Sequence, residues 1–426
     1  MPSSIELPGA PFLTRRQNRL TLEDCVLSDL ARQYGTPLYV YSRSAMRAAL
    51  AAYEQALAGR PHLVCYAMKA NSTLAVLQTF AEAGCGFDIV SGGELERALA
   101  VGVDGSRIVF SGVGKTRREM ERALEAGVRC FNVESDAELE VLSQIAQACG
   151  QTARVSLRVN PDVDAGTHPY ISTGLKGNKF GIAHAIALQS YRRAAELPFL
   201  EVLGIDSHIG SQITEIDPYL DALDRLLDLV EQVEQAGIPL HHVDIGGGLG
   251  INYRGETPPP AGELVRRVLA RMDARGHGHR ELLVEPGRSL VGNAGVLLAE
   301  VLYLKPGEQK NFCIVDAAMN DLTRPAMYEA WMDIVACEQR SEAAVRFDVV
   351  GPVCESGDWL GRDRLLAVHP GDVLAVLSAG AYGMAMASNY NTRGRAAEVM
   401  VEDGQHWLVR ERERVRDLFA GERLLR

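Results

Sequence analysis

Between residues 63 and 289 the sequence repeats one unit: a short β-branched or aromatic run, a polar or glycine turn, then a stretch with helical spacing. The candidate strands are 63–68, 87–91, 107–111, 130–134, 154–160, 202–208, 241–245 and 281–285. Strands that alternate with helices pair in parallel. Eight such units in this length predict a closed (β/α)8 barrel of the TIM type, with an open doubly wound sheet as the competing arrangement. A barrel collects its chemistry at the C-terminal ends of its strands. Those ends carry Lys69, Asp88, Ser111, Arg158, His208, the run Gly246-Gly247-Gly248, and Glu285 to Arg288.

From about residue 290 the pattern changes to short alternating runs, Gly295 to Tyr303, Phe312 to Val315, Phe347 to Val350 and Asp372 to Leu377, separated by glycine, proline and aspartate turns. This predicts an antiparallel β domain, a sandwich or small barrel. The segment 1–36 is too short to fold alone, holds strand pieces at Leu20 to Leu22 and Cys25 to Leu27, and is expected to join residues 290–426. Residues 37–289 then form the barrel domain, with Pro37 to Tyr41 as a connecting strand and Arg43 to Leu57 as a barrel helix.

A net charge of −11 without a long basic run argues against nucleic acid or an anionic membrane as partner. The N-terminus has no charged segment leading into an apolar one, and no stretch approaches the ~18 apolar residues of a membrane span, so a cytoplasmic location is expected. The eight cysteines are scattered singly, without a C-x-x-C pair. They read mostly as buried thiols acting as small apolar residues.

Lys69 follows the apolar run Leu63 to Met68, on a rigid strand end where a neutral amine is able to form a Schiff base with a carbonyl cofactor. Most lysines are solvated surface charges, and what distinguishes this one is its company. Gly246-Gly247-Gly248-Leu249-Gly250 and Glu285-Pro286-Gly287-Arg288 are two anion-friendly turns on strands seven and eight, the usual phosphate position in barrels. Ser211 adds a hydroxyl. Glu285 does not suit a phosphate; it suits a protonated ring nitrogen, or failing that a salt bridge to Arg288. An aldehyde for the lysine, a phosphate for the glycine turns and a pyridinium for the glutamate together describe pyridoxal phosphate.

The strings Y-A-M-K-A-N (66–71), G-F-D-I-V-S-G-G-E-L (86–95), H-I-G-S-Q (208–212), D-I-G-G-G-L-G (244–250), E-P-G-R (285–288), R-P-A-M-Y (324–328), G-P-V-C-E-S-G-D (351–358) and G-A-Y-G-M-A-M-A-S-N-Y-N (380–391) resemble the diaminopimelate decarboxylases, within the alanine-racemase-like, fold type III pyridoxal-phosphate enzymes. The resemblance runs in order over most of the chain. It implies that Lys69 carries the cofactor, Glu285 partners the ring nitrogen and His208 stacks on the ring. Ser211, Gly246, Gly247, Gly248, Pro286, Gly287 and Arg288 would surround the phosphate, Asp88 would support the site, Tyr382 would lie beside the cofactor, and Arg158 would stand behind it. It further implies a homodimer with shared active sites, in which Cys354 donates a proton and Glu355 binds substrate at the partner's cofactor.

Diaminopimelate keeps a distal carboxylate and amine after losing carbon dioxide. Arg288, Arg324 and Tyr328 supply donors for the first and Glu355 an acceptor for the second; each charge-assisted bond is worth roughly 1.5–3 kcal/mol. The expected reaction is decarboxylation of meso-2,6-diaminopimelate to L-lysine. A decarboxylase of a basic amino acid or polyamine precursor is the main alternative; a racemase and a non-catalytic cofactor carrier are further ones. No metal is expected.

Overall fold

A computed structural model describes residues 7–164 and 178–425. By contact the chain divides into two compact units, one of Ala49–Ile251 with Thr257–Ser289, the other joining the chain up to Ala48 with Asn252–Glu256 and Leu290 onward.

In the first unit the repeated apolar runs become the strands His62–Ala67, Gly86–Ile89, Ile108–Phe110, Cys130–Val133, Ala153–Asn160, Leu200–Asp206, His242–Asp244 and Glu281–Val284. Each pairs in parallel with the next. The eighth pairs back onto the first, Leu283 opposite Leu63, so the sheet closes and the open doubly wound arrangement is excluded. Strands such as Cys130–Val133 are buried at every position, as they must be with side chains filling the barrel on one face and helices covering the other. A short extra strand, Ile182–Ala183, pairs with the fifth strand outside the ring.

Local chemistry sets where the helices start. Ser91 accepts from the Glu94 N–H ahead of Gly92–Ala100, and Ser135 from the Glu138 N–H ahead of Asp136–Cys149. Thr116 and Glu119 form a reciprocal capping box before Arg117–Glu125. These caps end the turns at the strand C-termini, so the site residues sit on short, fixed connections.

The second unit is a mixed sheet, where the alternating runs predict an antiparallel one. Its central strand, Gly295–Lys305, pairs antiparallel with Leu38–Ser42, Asn311–Val315 and Val373–Val376. Two pairings are parallel: Asn311–Val315 with Val345–Val350, and Leu38–Ser42 with Ala397–Glu402. Strands drawn from opposite ends of the chain have no hairpin to impose direction. Leu38–Ser42, read as a connector, is thus an interior strand of this sheet, buried at all five positions. The N-terminal meander Leu13–Arg16, Arg19–Leu22 and Cys25–Val26 packs into the same core through Leu13, Leu20, Leu22 and Cys25. Among the described residues no helix is long and apolar enough to cross a membrane.

Candidate active site

Lys69 stands on a single 3-10 turn, Met68–Ala70, directly after the first strand. Its Nζ donates to Asp88 Oδ2 at 2.7 Å, on the second strand. Asp88 is wholly buried, and its Oδ1 has no hydrogen-bond partner among the described residues. The turn is fixed from the neighbouring eighth strand: the Ala67 N–H donates to the Pro286 carbonyl at 3.1 Å, and a Cβ on Gly287 would come within 3.1 Å of both Ala67 and Ala70.

Glu285 is buried at the end of the eighth strand. Glu285 Oε1 accepts from Asn132 Nδ2 at 3.3 Å, and Asn132 also donates to Ser111 Oγ at 3.1 Å. Carboxylate oxygens of Glu285, Asp244 and Asp206 lie within 4.8 Å of one another. Burial, then the neighbouring Asp244, Asp88 and Asp206 charges, push the Glu285 carboxyl well above the usual range, opposed by Lys69. Burial above all raises Asp206 as well, and Asp244 to about 7. A cation in front of Glu285 would reverse this tendency.

The glycine run has backbone reasons for each residue. Gly246 has φ +67°, and a Cβ there would lie 2.7 Å from His208 Nδ1 and from the Ser207 carbonyl. A Cβ on Gly247 or Gly248 would overlap the Glu285 or Gly210 carbonyl oxygen. Two of the amides are already engaged: Gly246 N–H donates to Asp244 Oδ1 at 2.8 Å, and Gly247 N–H to His208 Nδ1 at 3.1 Å. That second bond makes Nδ1 the acceptor, so His208 is the neutral Nε2–H tautomer. Burial first, and then Arg158 and Lys69, hold its pKa well below the usual histidine value. Ser211 Oγ accepts from Arg288 Nε and Nη2 at 3.2 and 2.9 Å.

Arg158, at the end of the fifth strand, is a buried counter-ion. Its Nη1 lies 3.2 Å from Glu134, its Nε 3.9 Å from Asp206, and its guanidinium stacks 5.0 Å over Phe180. Asn132, Glu134, Asp206 and Asp244 have no counterpart in the sequence reading. Their one signal there is a polar residue inside or at the end of an otherwise apolar strand.

The remaining predicted residues belong to the second unit. Arg324 opens the short helix Arg324–Tyr328, is buried, and donates to Tyr253 Oη at 2.7 Å. Tyr328 and Tyr382 are half-buried, the latter with φ +55°. Cys354 and Glu355 are exposed on a loop held by Asp358, which accepts from Met319 N–H at 2.7 Å and Val353 N–H at 2.8 Å. The Cys354 N–H donates to Asn391 Oδ1 at 3.1 Å, and Glu355 Oε2 accepts from Tyr390 Oη at 3.5 Å. Six cysteines are buried free thiols, as expected; Cys149, the last residue of its helix, is exposed along with Cys354.

Residues 43–292 match the family model for the pyridoxal-binding domain of pyridoxal-dependent decarboxylases. A diaminopimelate decarboxylase from Pseudomonas aeruginosa is 60% identical over 410 residues, covering 96% of this chain and 98% of its own. The chain belongs to the diaminopimelate decarboxylase family. A crystal structure of diaminopimelate decarboxylase from M. jannaschii in complex with L-lysine superposes with TM-score 0.93 at 39% identity, covering 98% of this chain and 99% of its own. A lysine decarboxylase from Selenomonas ruminantium is more distant, with TM-score 0.80 at 26% identity over 88% of this chain and 95% of its own.

Diaminopimelate decarboxylases are pyridoxal-dependent enzymes of fold type III, and the residues of the barrel fit that cofactor. Lys69 offers an amine at a fixed strand end, the unpartnered Asp88 Oδ1 and the raised Glu285 carboxyl await positive or donor groups, and the glycine turns keep the space that side chains would fill.

Proposed function

We propose that the protein removes one carboxylate from meso-2,6-diaminopimelate, giving L-lysine and carbon dioxide, the last step of lysine biosynthesis. The observation that carries this reading is likeness at 60% identity along 96% of the chain to a diaminopimelate decarboxylase. Pyridoxal phosphate, when bound, supplies the electron sink for the breaking bond.

The chain's own residues do the rest. Lys69 would hold the cofactor carbonyl, its amine oriented by Asp88 through the 2.7 Å bond. Glu285 would hold the ring nitrogen and favour its charged form. His208, neutral, offers its ring face for stacking. Ser211 and Arg288 would hold the phosphate with Gly248 and Gly287; Gly246 and Gly247, whose amides are engaged elsewhere, shape that turn, and Pro286 accepts from the Ala67 N–H of the first strand. Arg158 keeps the buried acids behind the ring partly neutralised.

Arg324, Arg288 and Tyr328 bind the distal carboxylate, Glu355 binds the distal amine, and Tyr382 lies beside the cofactor. Cys354 delivers the proton that replaces the lost carboxylate. The working form is a homodimer in which Cys354 and Glu355 serve the partner's cofactor.

The likeness to a lysine decarboxylase keeps one second reading, decarboxylation of a simple basic amino acid. A substrate panel separates the two. kcat/KM for meso-diaminopimelate should exceed that for lysine, ornithine and arginine by up to ~10⁴-fold, as unmatched polar sites dictate; equal or greater activity on lysine would select the second reading.

A further inference from the structure

Behind Glu285 the barrel interior holds more acid than one ring nitrogen needs. Asp244 is wholly buried at the end of the seventh strand, within 4.8 Å of Glu285 and Asp206. Its two oxygens differ. Oδ1 accepts the Gly246 N–H at 2.8 Å, whereas Oδ2 is buried and meets no donor among the described residues. Glu285 is its neighbour, with carboxylate oxygens of the two within 4.8 Å, and Glu285 Oε1 already accepts from Asn132. With both acids ionised, two buried acceptors would stand side by side. One proton on Asp244 Oδ2 converts the clash into a donor–acceptor pair.

We propose that Asp244 is a positioning residue that stands neutral in the folded protein, donating from Oδ2 to Glu285 while Oδ1 accepts the Gly246 N–H, and so keeps Glu285 as the carboxylate that faces the ring nitrogen. The proposal rests on the reading of Glu285 as the ring partner. It also ties the ring side of the site to the phosphate side, since one side chain holds both Glu285 and the first glycine of the turn.

Charged and titratable groups act on Asp244 in both directions, and burial outweighs them. Asp88 and Asp206 repel a charge on it, and the Cys65 and Cys130 thiols beside it are themselves pushed up by burial; the Gly246 N–H, the Glu285 side chain and Arg158, the last already paired with Glu134, favour its ionisation. Burial is the largest influence, raising Asp244 to about 7. A carboxyl raised in the fold contributes stability that is full below its unfolded pKa of about 4 and is lost as pH rises through the folded value.

Asparagine copies the neutral acid, with one acceptor for Gly246 and one donor for Glu285, and does not titrate. Asp244→Asn and Asp244→Ala are therefore compared with the wild type by thermal midpoint of the cofactor-free protein and by pyridoxal phosphate affinity from fluorescence titration. Relative to D244N, the wild type should lose stability as pH rises toward about 7 and run parallel above it. D244N should bind pyridoxal phosphate within about threefold of wild type near pH 6.5, while D244A should lose about tenfold or more. Superimposable stability profiles for wild type and D244N, or D244N as weak as D244A, would overturn the proposal. If D244A does not fold, the D244N profile alone decides. A wild type that binds no pyridoxal phosphate would overturn the functional reading instead, and the cofactor-free stability profile would still report on Asp244.

Discussion

Lys69 and Cys354 have opposite surroundings, and that contrast separates their roles. Lys69 is locked by Asp88 on a turn fixed to the end of the neighbouring eighth strand. Cys354 is exposed, and its loop is held by backbone contacts to Asp358 and Asn391 rather than by the thiol. A thiol whose side chain has no structural work can be shortened without unfolding the loop. Cys354→Ala should therefore lower kcat by about 10²–10⁴-fold, the usual contribution of a positioned acid, with little change in KM or in thermal midpoint. Steady-state kinetics beside a melting curve checks this. Lys69→Ala should lose the lysine-bound cofactor absorbance together with turnover, while its fold remains.

At the scale of strands and turns, glycines mark where the barrel backbone comes closest to other groups. A Cβ on Gly204, in the sixth strand, would overlap the ring of His242, its neighbour on the seventh. His242 is wholly buried, and burial is the main cause that lowers its pKa to about 3. Gly204→Ala should cost about 1–3 kcal/mol by overpacking, and His242→Ala in the same chain should recover part of it. Denaturant unfolding of the two single variants and the double variant tests the coupling. Gly247→Ala presses on the Glu285 carbonyl, a backbone group that cannot step aside, and should weaken cofactor binding more than it weakens the fold.

These elements also show what was legible in the sequence. The eight barrel strands could be read because each is a continuous apolar run between turn residues, and closure followed from their number. Lys69, Asp88, His208 and Glu285 were legible because strand ends are where a barrel exposes side chains. Asn132, Asp206 and Asp244 were not. They sit on strands far apart in the chain; the side-by-side pairing of the sixth, seventh and eighth strands brings the two aspartates within 4.8 Å of Glu285, and Asn132 reaches it from the fourth strand across the barrel. The parallel pairing of Leu38–Ser42 with Ala397–Glu402 was hidden for the same reason, since no turn joins those strands.

For the whole molecule, the proposed division of labour between partner subunits has a quantitative consequence. If Cys354 serves the partner's cofactor, neither a Lys69→Ala nor a Cys354→Ala homodimer is active. Mixed and re-associated in equal amounts, they should form half hybrids, each with one site built from two intact contributions. Activity should return to about a quarter of the wild-type value, as expected for a two-fold interface with one complete site per hybrid. No recovery after verified subunit exchange would place Cys354 and Lys69 of one site on one chain.

The account depends most directly on the reaction itself. Purified protein loaded with pyridoxal phosphate and supplied with meso-2,6-diaminopimelate should release carbon dioxide and L-lysine in equal amounts, with no further conversion of the lysine. Carbon dioxide without lysine, lysine consumed as substrate, or no carbon dioxide at all from the loaded protein would contradict it.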